Sequence, residues 1–255
     1  MFKKLGVQLY TIRDFMDTPE NVRASFKRLK SLGYDEAQTA GSQIPYEEFA
    51  GIAKEEGIDI IGTHENFDRM VNDFDEAVRI QQLLGARYMG IGGRGLMTEE
   101  KVNEFIIQAN EIAKKLVPYD MKFTFHHHGH EFIKYKDGKT YMDTLVEGLD
   151  KENISFCLDT YWIQNGGADV RYWIEKLNSR VDILHLKDMK KLPVEGQLQA
   201  THYAAIGEGN MWWEGILESA EKIGVKHYVV EKDFSSDPFA SLESSSNFLH
   251  KNFMK

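Results

Sequence analysis

The sequence predicts an α/β protein folded as one (β/α)8 TIM barrel. Short strand-like runs alternate with amphipathic helix-like stretches eight times, the signature of βα units and a parallel sheet. The chain is 255 residues long, which suits such a barrel as readily as two ordinary domains. The late strands also place small or polar residues on one face and bulky apolar residues on the other.

The strands are read at 6–10, 34–39, 58–63, 88–91, 122–125, 154–158, 181–184 and 227–230. The first helix opens at Asp17-Thr18-Pro19-Glu20, a cap followed by proline and an acid, and ends at Gly33 after Leu29 and Leu32. Thr98-Glu99-Glu100-Lys101 opens a long helix with Val102, Phe105, Ile106, Ala109, Ile112, Ala113 and Leu116 at helical spacing, closed by Pro118. One connection, 188 to about 210, is an insertion containing Pro193, Gly196, Gly207 and Gly209, on the side where barrel loops carry function. No low-complexity linker interrupts the pattern, so 1–255 is read as a single barrel domain.

Strand parity sharpens the barrel reading. Ser155, Cys157 and Asp159 share one face, opposite Ile154, Phe156 and Leu158. Thr124, His126 and His128 share a face opposite Phe123, Phe125 and His127, and Val229 and Glu231 oppose Tyr228 and Val230. His64 follows the third strand in phase with Ile58, Ile60 and Gly62.

Four strands thus end in metal-ligand side chains on the inferred inner face: His126, Asp159, His185 and Glu231. Two imidazoles and two carboxylates suit manganese, iron, cobalt or zinc better than magnesium or calcium, and two negative charges balance a divalent ion. Taken singly, each residue reads equally well as a polar strand end meeting water or a helix terminus. Convergence of all four at one rim is what points to a metal site.

Composition narrows the partners. A net charge of -9 argues against a nucleic-acid partner, which needs clustered Lys and Arg. Cys157 is the only cysteine, so no intrachain disulfide forms and a cytoplasmic location is expected. Gln8, Arg13 and Asp14 interrupt the apolar run that a signal peptide beginning Met1-Phe2-Lys3-Lys4-Leu5 would need, and no apolar stretch is long enough to span a bilayer. Homo-oligomerisation is left open.

The runs Leu9-Tyr10-Thr11-Ile12-Arg13-Asp14, Phe125-His126-His127-His128-Gly129-His130-Glu131-Phe132, Leu158-Asp159-Thr160-Tyr161-Trp162, His185-Leu186-Lys187-Asp188-Met189 and Val230-Glu231-Lys232-Asp233 resemble the sugar phosphate isomerase/epimerase family. The resemblance runs from the first strand to the last helix and implies the xylose-isomerase-like TIM barrel fold. It implies a divalent metal held by Asp159, His185 and Glu231, with a fourth ligand from the fifth strand. Many relatives have Glu there; this chain has His126, as in a branch whose motif reads Tyr-His-Asn-His. Gln38 is a second departure, standing where that branch often has Glu.

A metal in such a site acts as a Lewis acid on a sugar carbonyl and adjacent hydroxyl, stabilising the enediolate formed when a base removes the α-proton. Glu231 is the first candidate for that base, with His128 and His64 as alternative acid or base groups. A lone histidine such as His64 is more often a hydrogen-bonded structural residue. Lys187 points the same way as His185 and is a candidate to hold a substrate oxygen, the plainer reading being an ion pair with Asp188, Asp159 or Glu231. Arg13, at the same rim, is a candidate substrate ligand or merely the partner of Asp14. Glu208, in the insertion, is a further substrate-binding candidate. Trp162, Trp212 and Trp213 offer a platform for a sugar face, though packing is the commoner role.

Gly90, Gly92 and Gly95 spell the dinucleotide fingerprint in form, but in the fourth unit rather than at the opening of a mononucleotide fold, and that reading is declined. The loop around Arg94 is at most a weak phosphate candidate. The expected activity is a metal-dependent isomerase or epimerase of a sugar or sugar phosphate. The runner-up is a lyase that eliminates the aglycone from 3-keto-glycosides. A non-enzymatic sugar-binding barrel and a DNA repair endonuclease rank lower.

Overall fold

The computed structural model describes residues 2–194 and 197–254. Eight parallel strands close into a barrel: β1 Gly6–Gln8, β2 Glu36–Thr39, β3 Asp59–His64, β4 Tyr88–Ile91, β5 Lys122–His126, β6 Ile154–Asp159, β7 Val181–Leu186 and, last in sequence, β10 His227–Val230. β10 closes the ring between β7 and β1. The insertion expected after the seventh strand is an antiparallel hairpin outside the barrel, β8 Asp188–Val194 and β9 Gln197–Ala204, with Met189 opposite Tyr203.

The two helices with the clearest sequence grammar form as read. Thr18 caps Pro19–Ser31 by accepting the Asn21 N–H, and Thr98 caps Glu99–Leu116 by accepting that of Lys101. The first strand is shorter than expected. It ends at Gln8, whose side chain accepts the Tyr10 N–H and starts a 3-10 helix, Leu9–Phe15. The second begins at Glu36 rather than 34, because Tyr34 turns into the helical layer and donates its hydroxyl to Leu242 O. Strands five, six and seven run one or two residues longer than read, so His126 and Asp159 are strand residues rather than loop residues.

An inner cluster of Ile61, Tyr88, Cys157, Ile183 and Val229 fills the barrel, and the main core lies between sheet and helices. Ile61 rather than Ile60 belongs to that inner cluster, because the pairing of β2 with β3 shifts by one residue between Ala37 and Gln38. The simple alternation expected for the third strand therefore fails before Gly62 and resumes after it. Gly90 has a close-packing reason to be glycine: a Cβ there would collide with Thr124 Oγ1 of the next strand. At the N-terminal end of the barrel, buried Asp182 is paired with Lys122 at 3.0 Å and Lys226 at 2.7 Å. Among the described residues, no helix is long and apolar enough to cross a membrane.

Candidate metal centre

The C-terminal ends of β5, β6, β7 and β10 bring His126, Asp159, His185 and Glu231 together, with one ligand atom from each lying within 4.8 Å of all the others. All four side chains are buried. His185 Nδ1 is 3.0 Å from Glu231 Oε2 and 3.9 Å from Asp159 Oδ2, and His126 Nε2 is 3.6 Å from the same Asp159 oxygen.

What surrounds these residues decides which atoms they offer. His126 Nδ1 is 3.2 Å from Gly92 O, so it carries the proton and leaves Nε2 as a lone pair. His185 Nε2 is 2.6 Å from Gln38 Oε1 and donates to it, which turns Nδ1 toward the carboxylates. Asp159 Oδ1 accepts the Trp162 N–H at the start of helix Thr160–Asn165, and the Asp159 N–H donates to His127 Nε2. His126 Nε2 and Asp159 Oδ2 are consequently buried without a hydrogen-bond partner. Metal ligation would satisfy both, with their outer atoms already fixed by Gly92 O and the Trp162 N–H. The donor set therefore fits a divalent cation. A softer trio, His64, Cys157 and His185, shares His185, but burial pushes the Cys157 thiol up and keeps it protonated.

Lys187 is the resident cation. Its side chain is buried, and the ammonium lies 2.6 Å from Asp233 Oδ1, 3.3 Å from Glu231 Oε2 and 3.4 Å from Asp159 Oδ2. Burial opposes that charge, but Asp159, Glu231 and Asp233 outweigh it and raise the Lys187 pKa. The two carboxylates are pushed apart. Burial carries Asp159 up to about 7. Burial acts on Glu231 in the same sense, yet Lys187 and His185 overcome it and hold Glu231 below the usual range. Burial disfavours charge on His185, but the Glu231 carboxylate beside it favours the charged ring, and its pKa is raised. It gives up the Nδ1 proton when it offers that nitrogen as a ligand.

The centre opens into a cavity of about 390 Å³ whose lining includes Tyr10, His64, His128, Lys187, Glu231 and Asp233. His64 Nδ1 accepts from Gln8 Nε2 at 3.2 Å, which puts its proton on Nε2, and burial lowers its pKa to about 3. His128 is likewise lowered by burial, its ring 5.1 Å from that of His126 and 5.0 Å from Trp162. Gly93, at φ +143°, leaves the room that the His128 ring occupies. Trp162 also stands 5.1 Å from Lys187 Nζ.

The remaining sequence candidates are held by contacts of their own. Arg13 donates to Tyr10 O and Asp233 O and stacks on Tyr10, rather than pairing with Asp14. Glu208 is exposed and accepts from Ser244. Trp213 is buried and donates to Asp188 Oδ2, and Trp212 is exposed under Arg171. Asp188 does not pair with Lys187. Instead it accepts backbone N–H groups of Met189, Gly207 and Gly209 and so pins the insertion.

Three contributors escaped the sequence reading. Gln8 links Gln38 to His64, Asp233 is the nearest partner of Lys187, and Tyr203 of the hairpin packs 4.6 Å from Tyr161 and 5.4 Å from Lys187 Nζ. The quoted Glu231-Lys232-Asp233 run held the signal for Asp233, since alternate residues after a strand point alike. Nothing in the sequence announced Tyr203.

Comparison with known proteins bears on the same architecture. The model of the xylose isomerase-like TIM barrel family matches residues 26–251. No curated protein matches the chain. Among solved structures, a sugar phosphate isomerase/epimerase from Parabacteroides distasonis is 21% identical, with all of both chains covered and a TM-score of 0.85. A probable 3-DHS dehydratase, AsbF, from Bacillus anthracis is 11% identical over 98% of this chain and 99% of its own, with a TM-score of 0.73. The IolI protein, solved with a bound zinc atom, is 13% identical over 97% of each chain, with a TM-score of 0.72. At these identities the structures share the fold, while the family match covers most of the sequence. The chain belongs to the xylose isomerase-like TIM barrel family.

Proposed function

We propose that the protein is a divalent-metal-dependent isomerase or epimerase acting on a sugar by proton transfer next to a carbonyl. One observation carries this reading: two imidazole nitrogens and two carboxylate oxygens converge within 4.8 Å at the barrel rim, where two of them are buried without a hydrogen-bond partner. His126, Asp159, His185 and Glu231 would hold the cation, which supplies Lewis acidity to a sugar carbonyl and its neighbouring hydroxyl. A zinc atom bound to a protein of the same fold supports the choice of a divalent ion.

The chain's own groups divide the remaining work. Glu231 lines the cavity and stays ionised, so it is the group to take the α-proton. His64, neutral with its proton on Nε2, is a hydrogen-bond donor to a substrate oxygen rather than a base. His128 is neutral and lines the same space, so it can relay a proton on the other side. Lys187 stays charged and stabilises negative charge developing on oxygen.

A second reading, elimination by a lyase, has its own support. Asp233 is the nearest partner of Lys187, at 2.6 Å, which leaves Glu231 as the carboxylate of the cavity lining to act as base, and one base suffices for elimination. A probable dehydratase shares the fold.

The test is metal content by elemental analysis before and after chelation, followed by a sugar and 3-keto-glycoside screen in D2O. Deuterium incorporation without loss of a substituent supports isomerisation, and aglycone release supports the lyase. Full activity in protein that never held metal would remove both readings.

A further inference from the structure

His127 is fully buried, and neither the metal set nor the cavity lining includes it. Strand parity turns it to the helix side of the barrel, the side of Phe123 and Phe125, where an apolar ring would bring no polar atoms to satisfy. Its ring does pack edge-on against Phe132, with centroids 5.4 Å apart. Burial lowers its pKa to about 3, so the imidazole is neutral, with one donor and one acceptor that both need partners. Both partners are main-chain groups: Nδ1 is 3.2 Å from His128 O, and Nε2 is 3.0 Å from the Asp159 nitrogen. A carbonyl only accepts and an amide only donates, which places the proton on Nδ1.

Each of these bonds acts at a place that bears on the site. β5 ends at His126, which is paired with Cys157, so Asp159 lies two residues beyond the last pair on that side of β6. There the His127 ring takes the place of a ladder carbonyl as acceptor of the Asp159 N–H. The same aspartate gives Oδ1 to the Trp162 N–H and offers Oδ2 to the metal set, so a shift of its main chain would move both oxygens. At the other end of the ring, His127 holds the His128 carbonyl, and buried Glu131 holds the His128 N–H through Oε2 at 2.8 Å. The orientation of the His128 ring rests on that fixed main chain and on packing against Gly93 and Trp162.

We infer that His127 is a positioning residue whose ring couples the Asp159 end of the metal centre to the loop that carries His128. It touches neither cation nor substrate, and sets where a ligand oxygen and the relay imidazole stand relative to each other. The inference rests on the metal-dependent reading above and deepens it, because the residue that holds the cation and the residue that relays the proton then share one fixed frame.

The two ends of the ring can be tested apart, because an Asn amide reaches the place of Nδ1 and a Gln amide that of Nε2. His127→Gln keeps an acceptor for Asp159 and leaves the His128 carbonyl without its donor, and His127→Asn does the reverse. Calorimetric titration of the chelated protein with Mn(II) and Zn(II) reads the first contact. The rate at which diethyl pyrocarbonate labels His128, mapped by peptide mass spectrometry, reads the second. His127→Gln should bind metal within about threefold of the unsubstituted protein while His128 is labelled about tenfold faster. His127→Asn should lose about tenfold in metal affinity with His128 labelling unchanged, and His127→Phe should show both effects. Losses that follow Tm alike in all three variants, or no change in any folded variant, overturn the inference and leave the sugar reading standing. The crossed pattern in protein that turns over no sugar supports the coupling and overturns that reading, and binding of neither ion to the unsubstituted protein overturns both.

Discussion

His185 Nε2 sits 2.6 Å from Gln38 Oε1, joining β7 to β2 across the barrel interior although β10 and β1 lie between them in the sheet. Gln8 Nε2 is 3.2 Å from the same Gln38 oxygen and 3.2 Å from His64 Nδ1, so one amide pair fixes the protonated nitrogen of two histidines. The early strands contribute no ligand but decide which atoms the late strands present.

Gln38→Leu should therefore weaken divalent-metal binding by about 10–100-fold, the range typical for losing the group that holds the other nitrogen of a ligand histidine. Calorimetric titration of the chelated protein with Mn(II) or Zn(II) measures it. An unchanged affinity would mean that Gln38 only fills space.

Lys187 competes with any cation for Asp159 Oδ2 and Glu231 Oε2, at 3.4 and 3.3 Å. Lys187→Met should tighten metal binding by about tenfold or more by removing a buried like charge, and yet lower turnover by about 100-fold. Loss of metal together with activity would instead make the lysine a scaffold for the ligands.

Asp182 lies far from the centre and gives a clean pH signal. Burial would raise its pKa, but Lys226 and Lys122 outweigh that and hold it below the usual carboxylate value. A depressed carboxylate stabilises the fold above its unfolded pKa of about 3.9 and loses that contribution as pH falls through the lower folded value. Asp182→Asn should cost about 1–3 kcal/mol at pH 7, because the lysines retain access to water. Urea unfolding at several pH values should show this gap constant down to about pH 5 and shrinking below about pH 4. A gap that widens on acidification would contradict the sign.

Asp188 gathers the Met189, Gly207 and Gly209 N–H groups and the Trp213 indole N–H. Asp188→Ala would strand these donors and should destabilise the protein by about 3–5 kcal/mol, read as a lowered Tm. Tyr203 is carried on the hairpin that Asp188 anchors, so affinity for sugar should fall along with stability. A normal Tm would show that water replaces the carboxylate.

Much of this was legible in local chemistry. The alternation of strand and helix signals, the Thr18 and Thr98 caps and the inward phase of His126, Asp159, His185 and Glu231 follow from backbone periodicity, which a sequence displays directly. The strand boundaries were less so. The slip that moves Ile61 inward depends on how neighbouring strands pair.

By itself, then, the sequence determined the barrel and the four side chains aimed at one point, because residue type and period fix which face a group occupies. Only the tertiary structure decided that Lys187 answers to Asp233 and not Asp188, that Gln38 and Gln8 orient the histidines, and that Tyr203 comes in from the hairpin. Those contacts join residues as far apart as 147 positions, and closure of the ring, rather than any local preference, brings them within hydrogen-bonding reach.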